Sequence, residues 1–402
     1  MKVAIIGGGA AGFFAAINVK ENHPHAVVTI YEKSSKLLSK VKISGGGRCN
    51  LTNGSTSIKT LSNAYPRGKN QLKKLLHHFS TQDIRDWFDA RGVKTYVQED
   101  LRVFPMTDKS QTIIDCFLNE CKRLGIHILT KANVKDIHSL ENEKILLYLE
   151  DSKHEVDKLI VATGGHPKKE GFQWLEKLGH HIAPPIPSLF TFNIPKHPIT
   201  QLMGLSAPNV QISLQGEKLS TTGPLLITHW GMSGPAVLKL SAFGAEILHQ
   251  KNYCFAIQIN WISIANQEQA KKSLETLLTQ SKNKNIQSLK PFGLPQRLWS
   301  YLLGVAEITE NKKCSEIGKK GLNKLINVLT NDSYDVQGKT TFKEEFVTCG
   351  GVDFESINSQ SMQSKFCKNL YFAGEVTNID GITGGYNFQA AWTTAYIAAK
   401  LL

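Results

Sequence analysis

The sequence lacks the features that mark membrane, secreted and zinc-binding proteins. No apolar run in its 402 residues approaches the roughly 18 residues of a membrane-spanning helix, and the amino terminus, MKVAIIGGGAAG, has no signal-like apolar stretch before its glycines. The seven cysteines include no CxxC pair and no zinc-type constellation. We therefore expect a cytoplasmic protein with free thiols, no bound metal and no membrane segment.

Acidic residues are missing from one long stretch. Between Ser34 and Ser80 there is no Asp or Glu, whereas nine Lys and Arg accumulate there. The whole chain carries a net charge of +13, and the segment 1–80 holds twelve basic and only two acidic side chains. A second segment, 263–330, has eleven basic against five acidic residues. Two interpretations stay open: a solvated or cofactor-balancing basic face, and the footprint of a polyanion such as nucleic acid.

The first 32 residues have the pattern of a dinucleotide-binding unit. An apolar strand is predicted over Lys2 to Gly7, a helix over Gly9 to Lys20, and a second apolar strand over Ala26 to Glu32. The turn between the first strand and the helix is Gly7-Gly8-Gly9-Ala10-Ala11-Gly12, which matches GxGxxG. Strand, helix, second strand and terminal acid together make the match specific.

Each residue of this motif has a physical role. Gly7 allows the tight turn, Gly9 lets the backbone approach a pyrophosphate, and Gly12 lets the helix pack closely on the strand. Glu32, 20 residues after Gly12, would accept a hydrogen bond from a ribose hydroxyl. The phosphates would lie at the amino terminus of the helix.

The chain is predicted to form a discontinuous cofactor domain interrupted by an insertion. The cofactor domain comprises residues 1–187 and 338–402, and the insertion comprises residues 188–337. Short alternating stretches separated by Gly, Pro and Asn predict a small β-barrel-like part over 188–262, and helical spacing predicts a helical part over 263–337. The fold class is therefore α/β, a Rossmann-like domain with an inserted barrel and helices.

Six segments together are distinctive of one family. They are SGGGRCNLTN (44–53), RVFPMTD (102–108), VATGG (161–165), THWGMSGPAVL (228–238), TCGGVD (348–353) and FAGEVTNIDGITGGYNFQAAW (372–392). In this combination and order the chain resembles the BaiN/YhiN-like bacterial flavoproteins over its whole length. The resemblance implies FAD, a flavin domain of the glutathione-reductase type, and an inserted domain of barrel plus helices.

The carboxy-terminal segment also favours FAD over NAD. A strand over Asn369 to Ala373 ends in Gly374-Glu375, which would place a carboxylate beside the ribityl chain of a flavin. The backbone amides of Gly384 to Asn387, before a helix over Phe388 to Leu402, would hold the pyrophosphate or the N1/O2 side of the flavin. Because no second GxGxxG follows a strand, we predict that NAD(P)H docks transiently as electron donor without a domain of its own; another donor is the alternative.

The predicted cofactor-binding set is distributed over both segments of the domain. It comprises Gly7, Gly9, Ala11, Gly12, Glu32, Lys33, Lys40, Gly46, Arg48, Val134, Thr163, Gly164, Gly374, Glu375, Gly384, Gly385, Tyr386 and Asn387.

Three residues are candidates for the chemistry. Cys49 is a candidate proton donor to the carbon beside the one that receives hydride, and a small thiol packed under the flavin is the alternative. Arg48 would stabilise an anion or a thiolate, or contact the cofactor. His229 lies in a turn that resembles a helix start with Ser233 as N-cap, which would bind an anion if it faced a cleft; a capping serine and a core histidine are the alternative.

The resemblance implies a reductase of carbon–carbon double bonds conjugated with a carbonyl. It offers two acceptors, a steroid enone of the bile-acid kind and the C5=C6 bond of uridine in ribosomal RNA, which yields dihydrouridine. The basic excess favours RNA, with Tyr65, Trp230 and Tyr386 as candidates to stack an extruded base. A non-catalytic, RNA-associated flavoprotein that senses redox state is an alternative of another class.

Overall fold

The structure, a computed structural model, describes residues 1–341 and 347–402. These residues form two compact units: Met1–Ser188 together with residues 347–402, and residues 189–341. The predicted second segment of the cofactor domain, 338–402, includes residues 342–346, which lie outside the described residues.

The strands are numbered in chain order. They are β1 (Lys2–Ile6), β2 (Val27–Glu32), β3 (Thr52–Asn53), β4 (Thr95–Val97), β5 (Arg102–Pro105), β6 (His127–Thr130), β7 (Asp136–Ser139), β8 (Ile145–Tyr148), β9 (Lys153–Val156), β10 (Lys158–Val161), β11 (Ile182–Ser188), β12 (Thr191–Asn193), β13 (Ser206–Leu214), β14 (Ser220–Thr228), β15 (Gly231–Ser233), β16 (Cys254–Asn260), β17 (Asp332–Gln337), β18 (Lys339–Thr340), β19 (Val347–Val352) and β20 (Leu370–Phe372).

The helices are numbered in the same way. They are α1 (Ala10–Asn22), α2 (Ser39–Gly47), α3 (Ile58–Ser62), α4 (Lys69–Leu75), α5 (Thr81–Asp89), α6 (Ser110–Arg123), α7 (Gln173–Glu176), α8 (Pro235–Phe243), α9 (Ala245–Gln250), α10 (Gln267–Gln280), α11 (Gln296–Val305), α12 (Lys319–Thr330) and α13 (Tyr386–Ala398). The last helix begins two residues before the predicted one and ends four residues earlier. Across the described residues, no helix combines the length and the apolarity needed to cross a membrane.

The first unit is built on a five-stranded parallel sheet in the order β20-β10-β1-β2-β6. Its central strands are apolar throughout because helices cover both faces of such a sheet. Antiparallel strands β7, β8 and β9 form a separate meander, and β11 pairs with β19. The loops after β1, β2, β10 and β20 leave the sheet at its carboxyl edge, which is where open α/β sheets bind ligands.

The second unit is a sheet that closes on itself. Its seven strands have the order β17-β16-β13-β14-β15-β12-β18, and the two outer strands are consecutive in the chain. Only Gly338 separates them, with a φ of +96° that few other residues adopt without strain. Its N–H donates to the Tyr253 carbonyl at 2.8 Å and its carbonyl accepts from the Asn193 N–H at 3.1 Å. The chain therefore joins the two edges into a barrel.

The internal division predicted for the insertion needs correction. Residues 263–337 were expected to be helical, yet β17 at their carboxyl end is a barrel strand paired with β16. Helices α8 and α9 conversely lie within the part predicted as barrel. The paired strands β16 and β17 are thus separated in sequence by α10, α11 and α12, so the barrel closes only after the chain has completed these helices.

Candidate cofactor-binding site

The glycines of the first turn are favoured at their positions for different structural reasons. Gly7 has a φ of +114°, and a Cβ there would lie 2.2 Å from the Ala162 carbonyl oxygen. A Cβ at Gly12 would lie 1.9 Å from the Gly7 oxygen, so both positions are fixed by packing. At Gly9 a Cβ would meet no atom of residues 1–341 and 347–402 within 4 Å. The fold alone does not require glycine at this position, and the open space fits a ligand that approaches the backbone there.

The carboxylate of Glu32 lies against this turn. One oxygen accepts from the Gly8 N–H at 2.8 Å and the other from the Ser34 N–H at 2.8 Å. The predicted acid at the end of the second strand is therefore held beside the glycine turn, where a ribose would lie. Lys33 is exposed in the same loop, and Val134 is half-buried against the core of this unit.

A second cluster lies at the ends of β10 and β20. Glu375 accepts from the Lys40 ammonium at 2.6 Å and from the backbone N–H of Thr348 at 3.2 Å. A Cβ at Gly164, where φ is +74°, would lie 4.0 Å from Glu375, and Thr163 beside it is exposed. Thr348 was not among the predicted site residues, although it opens the TCGGVD segment that carried the resemblance.

Gly374 and Ala11 bring the two segments of this unit into contact. Gly374 has a φ of +77°, and a Cβ there would lie 2.9 Å from the Cβ of Ala11. Only small residues fit at this crossing of α1 with the loop after β20. Both positions thus have a packing reason, in addition to the cofactor role predicted for them.

The start of α13 is the second helix terminus at the site. Gly385 caps it with a φ of +88°, and a Cβ there would lie 2.3 Å from the Thr52 carbonyl oxygen. Asn53 donates through Nδ2 to the Gly384 carbonyl at 3.2 Å. Since the first N–H groups of a helix have no partner within it, this terminus can receive an anionic or carbonyl group.

Two predicted side chains near this terminus have partners inside the protein. Asn387 bonds both backbone groups of Gly381, at 2.8 and 2.9 Å, so it offers a ligand its backbone N–H rather than its side chain. Tyr65 is buried and donates to the Tyr386 carbonyl at 2.7 Å, which leaves it unable to stack a base. Tyr386 is half-buried and meets the Tyr65 ring edge-on.

The loop that ends α2 is also open. Gly46 and Gly47 have φ values of +68° and +85°, and a Cβ at either would meet no atom within 4 Å. The Arg48 guanidinium lies 4.1 Å from the centroid of the Phe104 ring and 3.8 Å from an Asp108 carboxylate oxygen. Arg48 is thus held over an aromatic face while two glycines beside it leave room for a ligand.

Cys49 follows this loop but does not face open space. Its side chain is fully buried, and burial raises the pKa of its thiol to about 12. Its φ is +64°, an unusual value for a residue with a side chain. Burial and the high pKa both favour the packing alternative over the proton-donor role.

The remaining candidates lie in the second unit. His229 is exposed between β14 and β15, with its ring edge-on to Trp230. Trp230 donates to the Thr191 hydroxyl at 2.9 Å. The prediction that Ser233 caps a helix is wrong: Ser233 belongs to β15, and α8 is preceded by Gly234 at a φ of +95°. A Cβ at Gly234 would lie 2.8 Å from the Leu226 nitrogen, so the turn is set by glycine rather than by a serine cap.

A buried ion pair that was not predicted from the sequence fixes the loop before α13. Asp380 is fully buried and accepts both a bidentate contact from Arg67 and a hydrogen bond from the Ser188 hydroxyl at 2.8 Å. Beside it, the Ile382 N–H donates to the Ala64 carbonyl at 2.9 Å. Residues 64–68 therefore hold the loop that leads to Gly384 and Gly385.

Residues from both segments of the first unit thus converge on one carboxyl-edge site with the donor set of a dinucleotide cradle. A sequence model of the HI0933-like protein Rossmann domain matches residues 1–401. The chain belongs to the HI0933-like family. The fold class predicted from the sequence is confirmed.

Curated relatives cover nearly the whole chain. A ribosomal RNA dihydrouridine synthase of Haemophilus influenzae is 30% identical over 411 aligned positions, covering 98% of this chain and 96% of that protein. A protein of the same name from Escherichia coli is 28% identical, covering 98% and 96%. A 3-dehydro-bile acid delta(4,6)-reductase of Clostridium scindens is 26% identical, covering 99% and 98%.

Solved structures share the fold at low identity. The 3-ketosteroid-delta4-(5alpha)-dehydrogenase of Rhodococcus jostii superposes with a TM-score of 0.52 at 13% identity, covering 99% of this chain and 96% of that chain. The 3-ketosteroid delta1-dehydrogenase of Sterolibacterium denitrificans gives 0.51 at 11% identity, covering 99% and 98%. At these identities the likeness concerns the fold alone.

Proposed function

We propose that this member of the HI0933-like family is an FAD-dependent reductase that converts uridine in ribosomal RNA to dihydrouridine. FAD held in this site would, when reduced, supply a hydride to one carbon of the conjugated double bond. The neighbouring carbon would take a proton from water, and NAD(P)H would return the two electrons to the flavin. The observation that supports the cofactor assignment is the cradle around Gly9 and Gly46, where backbone faces open space beside helix termini and Glu32 is held against the glycine turn.

Different residues of the cradle would bind different parts of the cofactor. Gly9 and the start of α1 would receive the pyrophosphate, and Glu32 the adenosine ribose. Glu375, fixed by Lys40 and the Thr348 N–H, would accept from the ribityl hydroxyls. The start of α13 would donate to the N1/O2 side of the flavin ring, where negative charge develops on reduction.

Two observations support RNA over a sterol as substrate. The relatives at 30% and 28% identity are both named for ribosomal RNA, whereas the bile-acid reductase is 26% identical. The segment 1–80 holds twelve basic against two acidic side chains, a balance that favours a polyanion, whereas a sterol would need an apolar pocket. The second candidate function, supported by the bile-acid relative, is reduction of a small conjugated enone.

The test of the reaction is mass spectrometry of ribosomal RNA nucleosides from cells with and without the gene. We expect dihydrouridine to disappear on deletion and to return with the intact gene. An unchanged signal would remove the RNA assignment, and purified protein that oxidises NADPH only when a steroid enone is added would replace it with the second candidate. If neither RNA nor a steroid enone changes the rate at which the purified protein oxidises NADPH, the redox-sensing alternative would be favoured.

The cofactor cradle is tested by Gly9→Ala. Because the added methyl meets no atom of the described residues, the unfolding midpoint of the apoprotein should stay unchanged while the Kd for FAD rises at least about tenfold. Gly304→Ala is the matched control, since this glycine lies within α11 and also has no atom within 4 Å of an added Cβ. Unaltered FAD affinity in Gly9→Ala would remove Gly9 from the cradle.

We propose the packing role for Cys49. A general acid contributes roughly 100-fold or more to a rate, so Cys49→Ala should lower turnover by that much if the thiol delivers the proton. We expect turnover of the FAD-loaded variant to stay within about threefold, well short of that loss, with only a lower unfolding midpoint. A loss of 100-fold at full FAD occupancy would restore the proton-donor role.

A further inference from the structure

The basic residues between positions 34 and 80 fall into two groups. Some contact acidic or aromatic side chains of the protein, and the others form no ion pair among the described residues. Lys40 pairs with Glu375, Arg67 with Asp380, and Arg48 lies over Phe104 near Asp108. The other six form no ion pair with an acidic side chain among the described residues. These six are exposed: Lys36, Lys42, Lys59, Lys69, Lys73 and Lys74.

Several lysines elsewhere in the same unit pair with acids on the protein surface. Lys135 pairs with Glu150 at 2.8 Å, Lys144 with Glu155 at 2.7 Å, and Lys368 with Glu143 at 2.7 Å. On those surfaces the charge is balanced within the protein. The lysines of α3 and α4 pair with no acidic side chain among the residues that the structure describes, so their charge is left for an external anion.

Three of the unpaired lysines share the exposed side of one short helix. Leu72 and Leu75 are the buried residues of α4. Lys69 and Lys73 are one turn apart, and Lys74 lies on the side opposite the two leucines, since successive residues are about 100° apart around a helix. Lys59 is exposed on α3, the neighbouring helix.

The helix that carries these lysines begins beside the loop that leads to the candidate site. Gly68, the residue before α4, has a φ of +72°, and a Cβ there would lie 2.5 Å from the side chain of Ile379. The adjacent residue, Arg67, bridges to Asp380 in the loop before α13. Lysines of α4 therefore lie next to the segment that positions Gly384 and Gly385.

We infer that α3 and α4 form the surface on which the sugar–phosphate backbone of the substrate RNA docks, with Lys59, Lys69, Lys73 and Lys74 contacting phosphates. The inference rests on the proposed function, and it assigns RNA binding to this surface rather than to the second basic segment, 263–330. Lysine ammonium groups bind phosphate as point charges and carry no base preference, so this surface supplies affinity and register while the site selects the nucleotide.

The experiment compares two triple variants of the FAD-loaded protein. One is K69Q/K73Q/K74Q, and the matched control is K272Q/K282Q/K284Q, three exposed lysines of the second basic segment. Binding of a fluorescein-labelled RNA hairpin of about 40 nucleotides is measured by anisotropy between about 50 and 200 mM salt. Flavin content and the unfolding midpoint verify that each variant is folded.

We expect the α4 variant to bind the RNA at least about tenfold more weakly at low salt. The plot of the logarithm of the association constant against the logarithm of the salt concentration has a negative slope, and its magnitude should decrease by about 2, since each lost phosphate contact removes about 0.7 to 0.9. The control should keep the wild-type slope. Wild-type behaviour of the α4 variant, or loss only in the control, would overturn this docking surface while the RNA function stands. If the wild-type protein does not bind the hairpin, both the docking surface and the RNA function are overturned. The same proteins are also tested on phosphatidylserine vesicles. If the α4 variant loses binding to these vesicles and keeps its RNA binding, the surface is assigned to a membrane instead.

Discussion

Each unit contains an aspartate that is at least partly buried, and the two carboxylates have different kinds of hydrogen-bond and charge partners. Asp380 in the first unit is fully buried and paired with the Arg67 guanidinium, with the Ser188 hydroxyl as a further donor. Asp332 in the second unit is partly buried and accepts from two neutral groups, Trp261 Nε1 at 2.9 Å and the Tyr334 hydroxyl at 2.5 Å.

The difference follows from burial and from what each carboxylate connects. A fully buried charge needs an opposite charge, whereas a partly exposed one keeps some hydration and can be completed by neutral donors. Asp380 joins two segments that are distant from it in the sequence, around the loop that leads to the cofactor site. Asp332 joins β17 to the end of β16 inside one barrel.

The largest effect is expected when the cation of the first pair is removed. Arg67→Met leaves the Asp380 carboxylate buried without a counter-charge, which should lower the free energy of unfolding of the first unit by about 3–5 kcal/mol. Urea titration followed by intrinsic fluorescence measures it. Because Asn is neutral, R67M/D380N should recover part of the loss.

A surface pair provides the matched control for this prediction. Lys135 and Glu150 lie 2.8 Å apart, with side chains 50% and 72% exposed, so Lys135→Met should change stability by less than about 1 kcal/mol. If Arg67→Met were no more harmful than Lys135→Met, the buried pair would not hold the loop before α13.

The contrast also shows what sequence could and could not predict. The turn from Gly7 to Gly12 and the position of Glu32 were predictable, because they rest on local periodicity and on spacing within one βαβ unit. The pairing of Arg67 with Asp380 was not, because they lie 313 positions apart and the family segment that contains Asp380 carries no signal of its partner.

Two errors in the second unit have related physical causes. Ser233 had the residue type of an N-cap, but the close approach of Gly234 to Leu226 sets the turn instead. The return of β17 to the barrel was hidden because a long helical insertion precedes it and strand pairing over such a distance leaves no local signal. In the first unit, the sequence did not predict whether Cys49 is buried, since its glycine-rich context fits an exposed thiol as well as a buried one.

A smaller effect is expected for the second aspartate. In Asp332→Asn the amide oxygen can still accept from Trp261 or Tyr334, so one hydrogen bond is weakened and no charge is left unpaired. The free energy of unfolding at neutral pH should therefore change by no more than about 1.5 kcal/mol. A loss comparable to that of Arg67→Met would show that the ionised form of Asp332 is needed, and the comparison between the two units would fail.

The smallest expected effect is a pH dependence that belongs to Asp332. Burial raises the pKa of this carboxyl above its ordinary value of 3.8, although hydrogen bonds from Tyr334 and Trp261 oppose the shift. Between the ordinary and the raised pKa the folded protein holds a proton that the unfolded chain has released. The stability contributed by the protonated form is therefore fully present below pH 3.8 and declines as the pH rises through the raised pKa.

Asp332→Asn cannot release this proton, so its unfolding midpoint should rise relative to that of the wild type as the pH is increased from about 3 to 7. Groups distant from Asp332 titrate equally in both proteins and cancel in the difference. His197 does not, because burial lowers its pKa and the Asp332 charge raises it, so the comparison is made with His197→Gln in both proteins. A midpoint difference that stays constant over this range, or shifts in favour of the wild type, would mean that the two neutral donors stabilise the carboxylate more than burial penalises it. Asp332 would then resemble Asp380 in needing its charge, with hydrogen bonds in place of a guanidinium.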